Sequence, residues 1–259
     1  MHADGQVKYL VVIPEHLSAF PASILKILEE HKVTFLFWVP TIMVNIANMD
    51  LLSSIQLPAL KTVWFAGEVF PTKQFNYWRK MLPQTTFANL YGPIEITLDC
   101  TCFIVNREIK DEESIPIGFP CRNTDILILD ADNKLVAEAG KEGELCVRGT
   151  SLAMGYYNNP EKTASAFVQN PLNHAYPETI YRTGDVVVIN ERGEIVFKGR
   201  KDTLIKHMGY RTELGEIEHI IINKLKLVKN GCVVYNFSKK EITLFYESPE
   251  EITPAEFRK

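Results

Sequence analysis

Apolar runs and helical periodicities alternate along residues 9–90, and this alternation restricts the fold more than any other feature of the chain. Residues 9–13 form an unbroken apolar run, the pattern of a strand covered on both faces in a parallel sheet. Residues 22–30 then carry Ile24, Leu25, Ile27 and Leu28 on one side, as a helix does. A second buried strand is predicted over 33–39, a helix over 41–48 and a third strand over 62–66. A helix over 72–81 places Phe75 and Trp78 on one face, and a fourth strand covers 86–90. Such alternation predicts an α/β layer with right-handed crossovers. Ligands on sheets of this kind bind beyond the carboxyl ends of the strands, so the residues there are the first candidates for a site.

Two of these strand ends carry chemistry. One reads Phe65-Ala66-Gly67-Glu68 and the other Asn89-Leu90-Tyr91-Gly92-Pro93-Ile94-Glu95. A Gly-Pro pair after a strand turns the chain sharply and exposes backbone groups. It leaves Tyr91 as a flat ring suited to stacking and Glu95 as a hard carboxylate, which suits Mg²⁺ alongside substrate phosphates. Taken alone, the same residues also fit a strand end with a core tyrosine and a solvated glutamate. A third stretch of interest begins at Tyr181-Arg182-Thr183-Gly184-Asp185 and continues as a strand to an Asn190-Glu191-Arg192-Gly193 turn. Ile195-Val196-Phe197 then leads into Lys198-Gly199-Arg200-Lys201-Asp202, giving a hairpin with Asp185 and Arg200 at its ends. An aspartate accepts two hydrogen bonds from a vicinal diol, and an arginine fork suits a phosphate. That pairing points to a nucleotide, although a surface hairpin with ordinary charges fits the stretch equally while it stands alone.

The 259 residues are 46% hydrophobic and 23% charged, with a formal net charge of −4. They describe a soluble globular protein of one large domain, or one large domain with a small one. Mild acidity gives no footprint for nucleic acid or for an anionic membrane. No apolar run reaches the ~20 residues of a membrane span, and no basic-then-apolar signal sequence opens the chain. The five cysteines (Cys100, Cys102, Cys121, Cys146 and Cys232) show no zinc spacing. They are expected to be reduced and structural, in a cytoplasmic protein. From residue 100 the alternation gives way to short strands at 100–105, 125–129 and 144–147, separated by turns such as Asp130-Ala131-Asp132-Asn133. Beyond Asp202 a helix is predicted over 215–224 and strands over 231–235 and 242–247. Thr253-Pro254-Ala255-Glu256 is a capping box with proline at the first helical position, and only three residues follow it, so the chain is expected to be cut there.

Two long motifs carry a resemblance. Tyr-Arg-Thr-Gly-Asp fills 181–185, and Gly-Arg-x-Asp-x-x-Ile-Lys-x-x-Gly-x-Arg-x-Glu-x-x-Glu-Ile-Glu fills 199–218 at every fixed position. In both content and order the chain resembles the adenylate-forming (AMP-binding) enzymes. That resemblance implies an α/β layered subdomain and a distorted β-barrel within a large domain over 1–202, divided at residue 99/100. A partial α+β lid over 203–259 would follow, hinged at Asp202. It implies ATP or AMP and Mg²⁺ as ligands. Asp185 would hold the ribose hydroxyls, Arg200 would reach ribose and phosphate, and Gly209 and Arg211 would lie on the lid loop, with Arg211 in a catalytic role beside Glu95 and Arg200. The stretch 89–95 resembles the family's Tyr-Gly-Pro-Thr-Glu motif. It assigns Asn89 to the adenine amino group, Tyr91 with Gly92 to the adenine, and Glu95 to Mg²⁺, while Gly67 and Glu68 line the other side of the ring. Ile94 departs from the family's threonine and removes a hydroxyl that ordinarily faces the phosphates. Ile117-Gly118-Phe119-Pro120, the run 143–149 and Gly155-Tyr156-Tyr157-Asn158-Asn159-Pro160 match connecting motifs and receive no chemistry.

Phe37, Trp64, Ala66, Leu90, Leu98 and Asp99 match the family's acyl-pocket wall. The runs 65–71 and 208–218 are similar to D-alanine–carrier protein ligases, and the second also to the adenylation domains of nonribosomal peptide synthetases. The resemblance therefore implies activation of a carboxylate, an amino acid above all, as an acyl-adenylate. Transfer to a carrier-protein phosphopantetheine thiol would follow, with no part for nucleic acid or membrane. An acyl-CoA synthetase using CoA and a non-catalytic AMP-binding fragment are the alternatives. The family's phosphate loop and C-terminal lysine find no counterpart in 1–259, so the chain corresponds to about the middle half of a family member and is expected to be inactive by itself.

Overall fold

Pro21 opens the first helix, α1 (Pro21–Glu30), where a missing N–H costs nothing because no helical partner exists for it. The spacing of Ile24, Leu25 and Leu28 gives that helix one buried face. Pro40 opens α2 (Pro40–Asn48) in the same way, and α3 (Thr72–Met81) buries Phe75 and Trp78. These helices alternate with β1 (Phe35–Trp38), β2 (Thr62–Ala66) and β3 (Thr86–Tyr91), which pair in parallel. Two antiparallel strands, β4 (Thr101–Ile104) and β5 (Phe119–Pro120), extend the sheet in the order β1-β2-β3-β4-β5. All three helices pack on the face that carries Leu36, Val63, Phe65 and Phe87, forming one core. Trp78 Nε1 donates to the Met43 carbonyl at 2.9 Å, tying α3 to α2 at the centre of that core.

The computed structural model describes residues 9–17, 19–201, 204–208, 210–225, 227–228, 230–237, 239–248 and 252. Residues 9–13, expected as a buried strand, form no strand, and Tyr9, Leu10 and Val12 are exposed. An apolar run supplies burial energy but no hydrogen-bonded neighbour, and a strand needs both. The strand expected over 33–39 is shorter, and its burial alternates because the helices cover only one face of the sheet.

A second sheet of the same unit has the order β10-β9-β7-β6, formed by β6 (Thr124–Leu129), β7 (Glu142–Gly149), β9 (Thr179–Ile189) and β10 (Ile195–Arg200). β8 (Phe167–Gln169) pairs with β9 and follows α4 (Pro160–Ala166), which Asn159 caps by accepting from the Lys162 N–H. A bulge between Glu144 and Cys146 curls β7 against β9. Leu145, Val147, Tyr181, Val187 and Ile195 meet Tyr91, Ile96 and Cys100 in a second core, which joins this curled sheet to the carboxyl end of β3.

The chain divides into two compact units, Met1–Gly199 and Arg200–Lys259. In the second unit β11 (Leu204–His207) and β12 (Tyr210–Glu213) form a hairpin, followed by α5 (Leu214–His219) and a second hairpin of β13 (Asn230–Asn236) and β14 (Glu241–Glu247). Ile205, Leu214 and Val233 are its core. The helix expected over 215–224 is α only as far as His219. Three successive isoleucines then form a π-helical turn, marked by the Leu225 N–H donating to the Ile220 carbonyl at 2.8 Å. The capping box at 253–256 lies outside the described residues. All five cysteines are free thiols. Among the described residues no helix is long and apolar enough to cross a membrane.

Candidate nucleotide site

The strand ends of the first sheet carry most of the expected residues. β2 ends at Ala66, and the chain then turns through Gly67, whose φ of +94° favours glycine. The Glu68 carboxylate accepts the Thr41 N–H at 3.0 Å and the Thr41 hydroxyl at 2.5 Å, so it caps the first turn of α2 beside the end of β2. On β3, Asn89 lies in register between Phe65 and Phe103 and is buried. Its amide nitrogen donates to the Pro116 carbonyl at 2.8 Å. That bond fixes the amide plane and assigns Oδ1 as the acceptor facing any further partner. After Tyr91, Gly92 lets the backbone of 98–100 pass against it: a Cβ there would sit 2.3 Å from the Leu98 carbonyl oxygen and 2.6 Å from the Asp99 Cα.

Tyr91 and Asp185, 94 residues apart, are joined by a hydrogen bond from the phenol to Asp185 Oδ2. Residues 181, 183, 185 and 187 alternate onto the buried face of β9, which brings the Asp185 carboxylate inside at 5% exposure. Thr183 Oγ1 donates to the Leu145 carbonyl at 2.6 Å and accepts the Asp185 N–H at 3.0 Å, pinning the strand at that point. Burial first, and then the Asp185 charge, push the Tyr91 phenol well above its ordinary pKa, so it stays a donor. The Tyr91 ring, 7% exposed, lies 6.5 Å from the Phe197 ring.

Glu95 is buried at 4% exposure in a short helical turn, Ile94–Ile96, while Ile94 beside it is 80% exposed. The Tyr156 phenol donates to Glu95 Oε1 at 2.6 Å, and the Ala153 N–H donates to the Glu95 carbonyl at 2.8 Å. Among the described residues no group of three or more His, Cys, Asp or Glu side chains could hold a metal ion. Glu95 nevertheless fits the habit of Mg²⁺, which takes one or two protein carboxylates and completes its shell with phosphate oxygens and water.

Phe37, Trp64, Ala66 and Leu90 share the sheet face opposite the helices, with Phe37 directly beside Trp64 and Ala66 beside Leu90. Phe35 and Phe37 both meet the Trp64 ring edge-on, at 5.0 and 6.2 Å. Leu98 has a φ of +94°, rare for a branched side chain, and Asp99 follows it. The Asp99 charge helps to raise the thiol pKa values of Cys100, Cys102 and Cys121, after burial in each case. Arg200 is the last residue of β10, and Arg211 lies on β12. Asp202 and Gly209 fall outside the described residues.

Two residues of this region are given no role at the site by the sequence. Cys102 stands directly opposite Leu90 across the β3–β4 pair and so shares the sheet face of Trp64 and Leu90; register is not written in an isolated strand. Tyr156 sits in a connecting stretch, and its partner Glu95 is 61 residues away.

Residues 9–157 match the AMP-binding enzyme family. Zwittermicin A synthase ZmaJ of Bacillus cereus is 34% identical over 248 residues, 93% of this chain and 46% of that protein. An L-proline–[L-prolyl-carrier protein] ligase of Streptomyces coelicolor is 31% identical over 238 residues, 91% of this chain and 43% of that one. The crystal structure of the Vibrio cholerae adenylation domain AlmE, in complex with glycyl-adenosine-5'-phosphate, superposes with a TM-score of 0.82 at 27% identity. That superposition covers 94% of this chain and 46% of AlmE, so the chain spans less than half the length of each of these three relatives. The family match takes in more than half of the 259 residues, including both loaded strand ends, and the chain belongs to the AMP-binding enzyme family.

Proposed function

We propose that the chain carries the nucleotide-binding part of an enzyme that uses ATP to activate an amino acid as an acyl-adenylate and passes it to a carrier-protein thiol. The observation that carries this reading is the Tyr91–Asp185 hydrogen bond. It joins the side chain expected at the adenine to the carboxylate expected at the ribose. In this reading the adenine lies at Tyr91, bordered by Gly67, Glu68 and Gly92, and its amino group donates to Asn89 Oδ1. Asp185 accepts from the ribose hydroxyls, oriented by the Tyr91 phenol. Glu95 would hold Mg²⁺, which would supply neutralisation of phosphate charge.

The substrate carboxylate attacks the α-phosphorus and pyrophosphate leaves. Such catalysis rests on positioning and charge neutralisation and needs no covalent enzyme intermediate. Phe37, Trp64, Ala66, Leu90 and Leu98 wall the acyl pocket, where two large aromatics favour a small or flat substrate. Asp99 reads an amino or polar group of the substrate side chain. Asp202 is the hinge between a large domain over 1–202 and a lid over 203–259, and the protein acts in the cytoplasm. The amino-acid preference rests on the relatives, whose names include a prolyl-carrier ligase and a glycyl-adenylate complex.

Calorimetric titration with AMP is the test. Asp185→Ala is expected to abolish the binding, because both ribose hydroxyls lose their acceptor, and equal affinity in parent and variant refutes the reading. A second reading, nucleotide binding without catalysis, is favoured by Ile94, which supplies an exposed apolar side chain at the phosphate-facing position. It predicts AMP binding with no aminoacyl-adenylate, by mass spectrometry, from ATP, Mg²⁺ and any common amino acid.

A further inference from the structure

We infer that Tyr156 is the positioning residue of a divalent-cation site at Glu95, holding the carboxylate in the orientation that a nucleotide-bound cation requires. The inference rests on the assignment of Glu95 to that cation. Segment 151–156 is laid along the Ile94–Ile96 turn by separate bonds. The Thr97 hydroxyl donates to the Ser151 carbonyl at 2.8 Å, and the Ala153 N–H donates to the Glu95 carbonyl at 2.8 Å. The Tyr156 phenol then reaches Glu95 Oε1 at 2.6 Å.

Tyr156 is itself held from several sides. Its N–H donates to Thr163 Oγ1 at 2.9 Å, its ring meets Phe167 edge-on at 5.8 Å, and Lys162 Nζ stands 5.1 Å from the ring centroid. A Cβ at the neighbouring Gly155 would lie 2.5 Å from Thr163 Cγ2, so the loop sits tight against α4. The phenol is therefore delivered to the carboxylate by a rigid frame.

The chemistry of the bond decides its role. A phenol orients a carboxylate without cancelling its charge, whereas a lysine or arginine in its place would compete with the cation. A carboxylate held by one oxygen keeps its plane fixed, and partners of this kind typically contribute about 10- to 100-fold to metal affinity. Tyr156 removes the entropy of choosing a rotamer when the cation arrives.

The test compares the parent chain with Tyr156→Phe and Glu95→Gln, using Mn²⁺ as the probe. Mn²⁺ bound in the presence of ATP is read by electron paramagnetic resonance, and ATP affinity in EDTA is measured alongside. Tyr156→Phe keeps the ring and its contacts. It is expected to raise the Mn²⁺ concentration for half-saturation at least tenfold, with metal-free ATP affinity unchanged. Glu95→Gln is expected to lose the protein's contribution to Mn²⁺ binding altogether. Unchanged Mn²⁺ affinity in Tyr156→Phe, with Glu95→Gln impaired, overturns the role of Tyr156 and leaves Glu95 as the ligand. Unchanged Mn²⁺ affinity in Glu95→Gln overturns both assignments. An equal loss in Tyr156→Phe with metal and in EDTA marks a structural role and also overturns the inference.

Discussion

Arg107 pairs with two carboxylates of the first unit, Glu113 and Glu194. Its Nε and Nη2 donate to the two oxygens of Glu194 at 3.2 and 2.8 Å, Nη2 also reaches Glu113 at 2.5 Å, and Nη1 donates to the Glu108 carbonyl at 3.1 Å. The forked, two-bond geometry to Glu194 is the strong form of such a pair. Hydrogen bonding to Arg107 is the main reason that both Glu113 and Glu194 sit below the usual carboxylate pKa. A carboxyl whose folded pKa is depressed contributes stability above its unfolded value of about 4.3, and that contribution is lost as pH falls through the folded value. Arg107→Ala removes the partner and leaves Glu194, 5% exposed, without that cation. The variant is expected to lose about 2–4 kcal/mol at pH 7 by urea unfolding. The loss should shrink as pH falls from about 5 to 3, since the parent gives up the same contribution there. A parent–variant difference that stays constant over that range would refute the account.

Burial separates the tryptophans of α3 and β2. Trp78 on α3 is fully buried and donates to the Met43 carbonyl, whereas Trp64 on β2 stands 38% exposed on the open face of the sheet. Trp78→Ala is expected to cost about 3–5 kcal/mol by chemical denaturation, through its cavity and the orphaned carbonyl. Trp64→Ala should cost much less and report instead on the pocket. Equal costs for the two would mean that Trp64 is core. Periodicity made α3 legible because Phe75 and Trp78 lie on one turn-spaced stripe, so local pattern and tertiary burial agree. Residues 9–13 show where that logic stops, since their apolar pattern encodes burial but not a partner strand. The Ile220–Lys224 turn shows another limit: the helical pattern persists there, yet the winding is π and not α. The site divides in the same way. Strand-end motifs flag Asn89, Tyr91 and Asp185, yet the Tyr91–Asp185 and Tyr156–Glu95 contacts span 94 and 61 residues, and no local pattern records contacts over such separations.

At the scale of the whole molecule, Asn89, Tyr91 and Asp185, three of the residues assigned to adenine and ribose, belong to the first of the two units. Asn89 and Tyr91 come from the α/β sheet and Asp185 from the curled sheet, joined through the core that Tyr91, Ile96 and Tyr181 share. A nucleotide bound to those three side chains would link the two sheets and so resist unfolding of the unit as a whole. Binding to the native state alone stabilises by RT ln(1 + [L]/Kd), about 1.4 kcal/mol when AMP is ten times its Kd. For a unit of this size, that corresponds to a rise in melting temperature of about 3–6 °C. Hydrogen exchange should slow at the same time along both β3 and β9, because neither sheet can open alone with the ligand in place. Asp185→Ala should cancel the thermal shift and the protection of β9 together. Protection that appears on β3 while β9 exchanges as before would place the nucleotide on the α/β sheet only, and the assignment of Asp185 to the ribose would fall.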